Sequence, residues 1–409
     1  MRRIAIIGSG PSGCFTAQGL LKARPDWAVD IYDALPVPFG LVRYGVAADH
    51  QGTKAITRQF ERIFERQGAR FFGNVTLGRD VALAALRGAY DAVVLAAGLA
   101  GDRDHGLGKA KGIIGAGRLT RALNDHPDAG GLPDIGGHVI ILGNGNVAVD
   151  VLRLLAKTGP ELQDSDLGGK VGDWLLSRRI DSLTILGRSA AASARFDPVM
   201  IRELGKLQGV TMRVDDLPGD AGDSKLIAAL AGLNGLSTGP RPVCFRFGCP
   251  PSGIDTDTGG HIRALRVQGP GGPETLPCDA LITCIGFCGD GNLGRDGLIA
   301  DAVDAEAGRI APGVYAVGWF RRGPRGTIPE NRADSLAVAQ RIVEDVEAWP
   351  EQDRIGADVL PQGLEVVDWA AWKRLDAIET SGAITGRCRT KIATRASMLQ
   401  LSRETEDSR

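Results

Sequence analysis

Short unbroken apolar runs alternate along this chain with segments whose apolar residues recur every three or four positions. Residues 3–8 read as a strand around Ile4-Ala5-Ile6-Ile7, residues 12–24 as a helix and residues 28–33 as a second strand. Residues 51–67 place Ile56, Phe60, Ile63 and Phe64 on one helical face. Residues 92–98 are apolar throughout, as in a strand covered on both sheet faces. The Gly- and Lys-rich residues 101–117 then read as a linker. From His138 the pattern starts again: a strand, a helix over 146–157, a polar insertion over 158–171, a helix around 174–179 and a strand over 182–187. Further strands are expected over 210–214, 262–267, 280–285 and 313–318, with a polar, helical or irregular tail over 366–395.

Two of the strand-to-helix junctions carry glycine. Gly8-Ser9-Gly10-Pro11-Ser12-Gly13 follows the first apolar run, and Gly143-Asn144-Gly145-Asn146-Val147-Ala148 follows Val139-Ile140-Ile141-Leu142. In that setting glycine permits a tight turn and a close backbone approach to a pyrophosphate. The helix N-terminus then offers unpaired N–H groups and a partial positive charge to the phosphates. Asp33 ends the second strand, where a carboxylate accepts hydrogen bonds from a ribose lacking a 2′-phosphate. The corresponding strand of the second unit ends in Gly187-Arg188-Ser189, and a guanidinium there favours a 2′-phosphate. Arginine far outnumbers lysine in this chain, so Arg188 alone is weak support for that preference. Two fingerprints imply two dinucleotides, and the simplest chemistry needing both is hydride exchange between a nicotinamide and a flavin.

Length makes two cores the expectation, since 409 residues exceed what one hydrophobic core serves. The predicted class is α/β: two Rossmann-like dinucleotide-binding domains, the NADP domain (104–304) inserted into a discontinuous FAD domain (1–103 and 305–409). A net charge of −1 excludes global attraction to nucleic acid or an anionic membrane. The seven cysteines form no CxxC pair, which leaves no redox dithiol or iron–sulfur cluster in this chain. Their odd number, and a first strand that begins at once, point to a reducing compartment, the cytoplasm. No 18-residue apolar run suggests a membrane span.

Pro36-Val37-Pro38-Phe39-Gly40-Leu41-Val42-Arg43-Tyr44-Gly45-Val46-Ala47-Ala48-Asp49-His50 resembles the signature loop of adrenodoxin reductase and its bacterial ferredoxin–NADP reductase relatives. The second fingerprint with Val149-Asp150 is similar to theirs, as are residues 318–328 and, near the C-terminus, Val367-Asp368-Trp369 with Trp372, Asp376 and Gly386-Arg387. Trp319 is the most specific sign, because most flavoproteins of the two-dinucleotide class carry Asp there. The resemblance spans nearly the whole chain. It implies a ferredoxin–NADP(+) reductase of the EC 1.18.1 type, passing electrons from NADPH through FAD to an acidic iron–sulfur carrier.

By matching position the resemblance assigns Ser12, Asp33, Leu41, Leu77, Trp319 and the Gly326-Thr327-Ile328 backbone to FAD. It assigns Asn144 to Val147 to the NADP pyrophosphate, Arg188 to the adenosine phosphate, and His50 and Asp150 to the meeting point of flavin and nicotinamide. Three departures stand out. Ser189 replaces a second arginine, for which Arg195 is a candidate substitute; Met200 falls where relatives carry a carboxylate; and residues 115–133 replace a usual Tyr-Asn-Gly-containing stretch. Candidate carrier-docking cations are Arg178-Arg179, the Arg202/Lys206/Arg213 region, and Arg387, Arg389, Lys391 and Arg395. Two other readings stay open: an FAD oxidase or monooxygenase acting on a small organic substrate, and a non-catalytic FAD subunit of an electron-transfer complex.

Overall fold

A computed structural model describes residues 1–219, 222–289, 291 and 293–403. Two six-stranded sheets organise them. In the first, the strands run in space Arg309–Ala311, Val314–Ala316, Ala92–Leu95, Arg3–Ile7, Ala28–Asp33, Arg70–Gly73. All pairings are parallel except the antiparallel pair at the Arg309–Ala311 edge. Val314–Ala316, more than two hundred residues downstream, lies directly against Ala92–Leu95, so both ends of the chain build one sheet.

The second sheet runs Ile113–Gly115, Ala280–Thr283, His138–Leu142, Ser182–Leu186, Arg241–Arg246, Val210–Val214, all parallel. Its central strands are apolar on both faces because both are covered, one by helices and the other by three antiparallel strands. An antiparallel meander, Pro251–Thr256, Ile262–Gly269 and Gly272–Pro277, packs beside it. Gly101–Asp102 pairs antiparallel with Phe287–Cys288, a two-stranded ribbon where the chain enters and leaves the second unit.

Several expectations are corrected. Residues 101–117 are not a linker: Ile113–Gly115 closes an edge of the second sheet, and the Asp102 carboxylate accepts from the N–H groups of Gly117 (2.6 Å) and Arg118 (3.0 Å) at the start of the helix Ala116–Leu123. A strand of three residues inside a Gly- and Lys-rich stretch does not stand out, and its partner lies far away in sequence. The helix expected over 51–67 is two, Gln51–Lys54 and Thr57–Arg66, broken where Lys54 turns into the interior. The helix Ile328–Ala348, whose pattern drew no expectation, packs along Pro11–Ala23 and begins with a capping box between Thr327 and Glu330. The helix Arg295–Ala300 packs Leu298 and Ile299 with Ile310 and Phe320 of the first unit.

The helix Trp369–Ser381, followed only by the shorter helix Arg395–Arg403 among the described residues, closes the first core with aromatic rings. Trp369 stacks on Phe64 at 4.2 Å, and Trp372 meets Phe39 edge-on at 6.1 Å. Behind it runs a buried ionic seam. Glu379 pairs with Arg43, and Asp166 of the second unit sits between Lys54 (2.7 Å) and Lys391 (2.9 Å). Burial, with the Lys391 charge beside it, brings the Lys54 ammonium down to about 7. The seven cysteines carry free thiols. Among the described residues no helix is long and apolar enough to cross a membrane.

Candidate active site

Both glycine loops occupy the expected corner between the first strand and first helix of their sheets. Helix Pro11–Ala23 has Gly10 at its N-cap, helix Asn146–Ala156 has Gly145, and neither N-terminus is capped by a side chain. Orphan N–H groups at Ser12 and Gly13, and at Asn146 and Val147, are therefore left to a ligand. Side chains added at Gly10 or Gly145 would meet nothing within 4 Å, so both backbones face open space. A Cβ on Gly13 would instead collide with the Gly8 carbonyl. Each loop thus presents open backbone N–H groups at a helix N-terminus, a setting that suits phosphate.

The loops differ in how their side chains are satisfied. Asp33 accepts from the Ser9 N–H (2.9 Å), the Ser9 hydroxyl (2.5 Å) and the Leu35 N–H (2.9 Å). A carboxylate has about four lone-pair directions, so room remains for a ribose hydroxyl. Burial pushes Asp33 above the usual carboxylate range, and the bonds from Ser9 and Leu35 oppose it. In the second loop both polar atoms of the Asn144 amide are buried without a hydrogen-bond partner, against Gly187. An orphaned buried amide in a cradle of open N–H groups fits a polar cofactor.

Leu41, on the helix Gly40–Tyr44, is 38% exposed, an uncovered apolar surface near the first loop, and Leu77 is half-buried beside Val81. Gly318 packs against Ser12, bringing the returning strand onto the first helix. Trp319 donates its indole N–H to the Gly326 carbonyl (3.3 Å) and stacks on Phe287 of the ribbon at 5.5 Å. Gly326, Thr327 and Ile328 thus lie at the positive end of the long helix, beside a ring pair that joins the two units.

His50 and Asp150 do come together. His50 Nδ1 is 3.6 Å from Asp150, and Nε2 is 3.6 Å from Glu203, so the imidazole stands between two carboxylates. The adjacent Asp49 docks on the same helix through Arg153 (2.8 Å) and Lys157 (2.6 Å). Burial raises Asp150, while Arg153 and His50 draw it down. Glu203 and Arg153 drew no expectation from the sequence. Glu203 lies one turn beyond Met200, which packs toward the core; the Asp197 cap on helix Pro198–Leu204 (2.7 Å to the Val199 N–H) sets that rotation. The spacing 200–203 was the available signal.

Arg188 and Ser189 are exposed at the end of their strand. Residues 195–197 fold back over the loop: the Arg195 N–H donates to the Asn144 carbonyl (2.7 Å) and the Asp197 N–H to the Asn146 side chain (2.7 Å). Phe196 between them is buried on Phe245 and Phe247, which turns Arg195 outward on the cradle. The guanidinium groups of Arg188 and Arg195 have no partner among the described residues. No group of His, Cys, Asp and Glu among the described residues could hold a metal.

The chain is 41% identical over 416 residues to the cindoxin reductase of Citrobacter braakii, covering 98% of this chain and 91% of that protein. It is 31% identical over 451 residues to the mitochondrial NADPH:adrenodoxin oxidoreductase of Mus musculus, covering 98% and 91%. The solved structure of Mycobacterium tuberculosis FprA in complex with NADPH matches with a TM-score of 0.91 at 31% identity, covering 98% of this chain and 99% of that one. No family model matches. Identity at this level over nearly the whole chain shows that it belongs to the adrenodoxin reductase-like ferredoxin–NADP reductase family.

Proposed function

We propose that this protein takes hydride from NADPH onto bound FAD and returns the electrons singly to an acidic iron–sulfur carrier. The observation that carries the reading is a pair of open helix N-termini, one from each sheet, in a chain whose His50, from the first unit, meets Asp150 and Glu203 of the second. When bound, the flavin supplies the switch between two-electron and one-electron chemistry.

In this reading Gly8, Gly10, Ser12 and Gly13 hold the FAD pyrophosphate, and Asp33 takes the ribose. Leu41 and Leu77 line the adenosine side, while Trp319, Gly326, Thr327 and Ile328 border the isoalloxazine. Gly143, Asn144, Gly145, Asn146 and Val147 hold the NADP pyrophosphate. Arg188 and Arg195 clamp the 2′-phosphate with the Ser189 hydroxyl beside them, so a second cation reaches the site from further along the chain. His50 and Asp150 position the nicotinamide and keep a polar, ordered environment around it, with Glu203 holding the other side of the imidazole. None acts as a covalent catalyst, since hydride transfer depends chiefly on placement.

We draw the domains as 1–103 with 289–409, and 104–288, because the ribbon lies at both crossings. Seven free thiols support a cytoplasmic location. Anaerobic titration of the purified yellow protein tests the reading. NADPH should bleach the flavin far more readily than NADH, and ferredoxin-dependent cytochrome c reduction should follow. Bleaching by an amine or hydroxy acid instead would mark an oxidase; bleaching by neither nucleotide would mark a non-catalytic subunit.

A further inference from the structure

Carrier docking needs cations that the fold has not already used. Most of the expected candidates are spent internally. Arg178 pairs with Asp134 and Arg213 with Asp215; Arg387 donates to the Leu162 carbonyl; Arg389 pairs with Asp376 and Glu379, Lys391 with Asp166, and Arg395 with Asp128. Arg202 and Lys206 on the second unit have no partner among the described residues.

A different set stands free on the first. A groove of about 730 Å³ is lined by Gln18, Thr53, Ile56, Arg58, Arg62 and Ile328, among others, and no carboxylate lines it. Arg58, Arg62 and Arg66 follow one another at four-residue steps along helix Thr57–Arg66, all exposed and without an ion pair or side-chain hydrogen bond among the described residues. The acids of that helix face elsewhere: Glu61 and Glu65 lie 3.9 and 3.7 Å from Lys373. Arg332, one turn beyond Ile328, is also exposed and unpaired. One end of the groove is Ile328, the residue assigned above to the isoalloxazine; its wall at Gly52 and Thr53 begins two residues after His50.

We propose that this arginine-lined groove is where a small acidic one-electron carrier protein docks, beside the flavin. The inference rests on the reductase reading and adds the surface through which electrons leave. Three guanidinium groups spread over two helical turns, about 12 Å, match carboxylates distributed on a protein face and are too far apart for one phosphate. Uncompensated charge over that span steers an acidic partner at low salt and fades as the Debye length shrinks to about 8 Å near 0.15 M.

The test uses the FAD-loaded enzyme with NADPH and two acceptors: ferricyanide, which needs no docking, and an acidic [2Fe–2S] ferredoxin coupled to cytochrome c. Arg58→Glu with Arg62→Glu should lower ferredoxin-dependent kcat/KM by about tenfold or more at low ionic strength, with the gap to wild type closing at high salt. Ferricyanide reduction should stay within about twofold, and Arg58→Lys with Arg62→Lys should behave as wild type. Arg58→Gln with Arg62→Gln, a milder change, should fall between. A groove variant equal to wild type with ferredoxin at low salt overturns the proposal, as does a parallel loss with ferricyanide. Loss confined to Arg202→Glu with Lys206→Glu would move the dock to the second unit and overturn it too. A wild-type enzyme unable to reduce ferricyanide with NADPH fails the reductase reading, and the groove falls with it.

Discussion

The two glycine loops share a backbone and differ in finish. In the first, Asp33 is satisfied by Ser9 and Leu35, Gly13 seats the helix on the Gly8 carbonyl, and the returning strand closes over Ser12. In the second, Ala148 replaces the third glycine, and neither the Asn144 side-chain amide nor the Arg188 and Arg195 guanidinium groups have a partner among the described residues. A pre-satisfied cradle suits a group that stays, because little reorganisation accompanies binding. A cradle with unspent donors suits a nucleotide that arrives, reacts and leaves. On the proposed reading, the side chains around each loop make the first a permanent seat and the second a visited one.

The sharpest way to break this contrast is Gly13→Ala. Its methyl group falls on the Gly8 carbonyl, whereas position 148 already carries that methyl group. The purified variant should lose most of its FAD, with retention falling about a hundredfold, near 3 kcal/mol; the flavin-to-protein absorbance ratio reads it. Ala148→Gly should leave flavin content untouched. Full FAD content in Gly13→Ala would end the distinction.

Next in size are the free guanidinium groups. Arg188→Ala and Arg195→Ala should each raise KM for NADPH about tenfold, near 1.4 kcal/mol, and leave KM for NADH unchanged. Equal effects with both nucleotides would place these side chains on the shared pyrophosphate instead. Smaller still, Asp33→Asn should speed FAD release several-fold while NADPH affinity holds, because the bonds from Ser9 and Leu35 then end on a neutral acceptor in place of a charged one, a difference of about 1 kcal/mol.

The smallest effect concerns the seam that holds the two units together. Lys54 is at about 7 when folded and near 10.5 when unfolded. Between those values the unfolded chain binds more protons, so this lysine makes stability rise with pH from about 7 to 10.5. Lys54→Met leaves the Asp166–Lys391 pair intact. It should flatten that rise and stabilise the protein by about 1 kcal/mol at pH 6, read as a higher melting temperature. A lower melting temperature would show that both lysines are needed around one carboxylate.

Much of the site was legible locally. The glycines, Asp33, Arg188 and Trp319 announce themselves because strand, turn and helix are contiguous in sequence, and each motif needs only its own backbone. The edge strand Ile113–Gly115, the helix Ile328–Ala348 and the carboxylate of Glu203 were not legible. The first takes its identity from a partner some 170 residues away, the second from packing on helix Pro11–Ala23, and the third from a helix rotation set by the Asp197 cap.

The amino-acid order alone determined that there would be two glycine loops at strand-to-helix junctions, their positions, and which strand ends in Asp33 and which is followed by Arg188, since these follow from steric demands within a few neighbouring residues. Only the tertiary structure decided which cations are consumed in ion pairs and which remain for a partner. It also decided that His50 stands between Asp150 and Glu203, because those outcomes depend on distances between segments that the chain brings together only when both cores close.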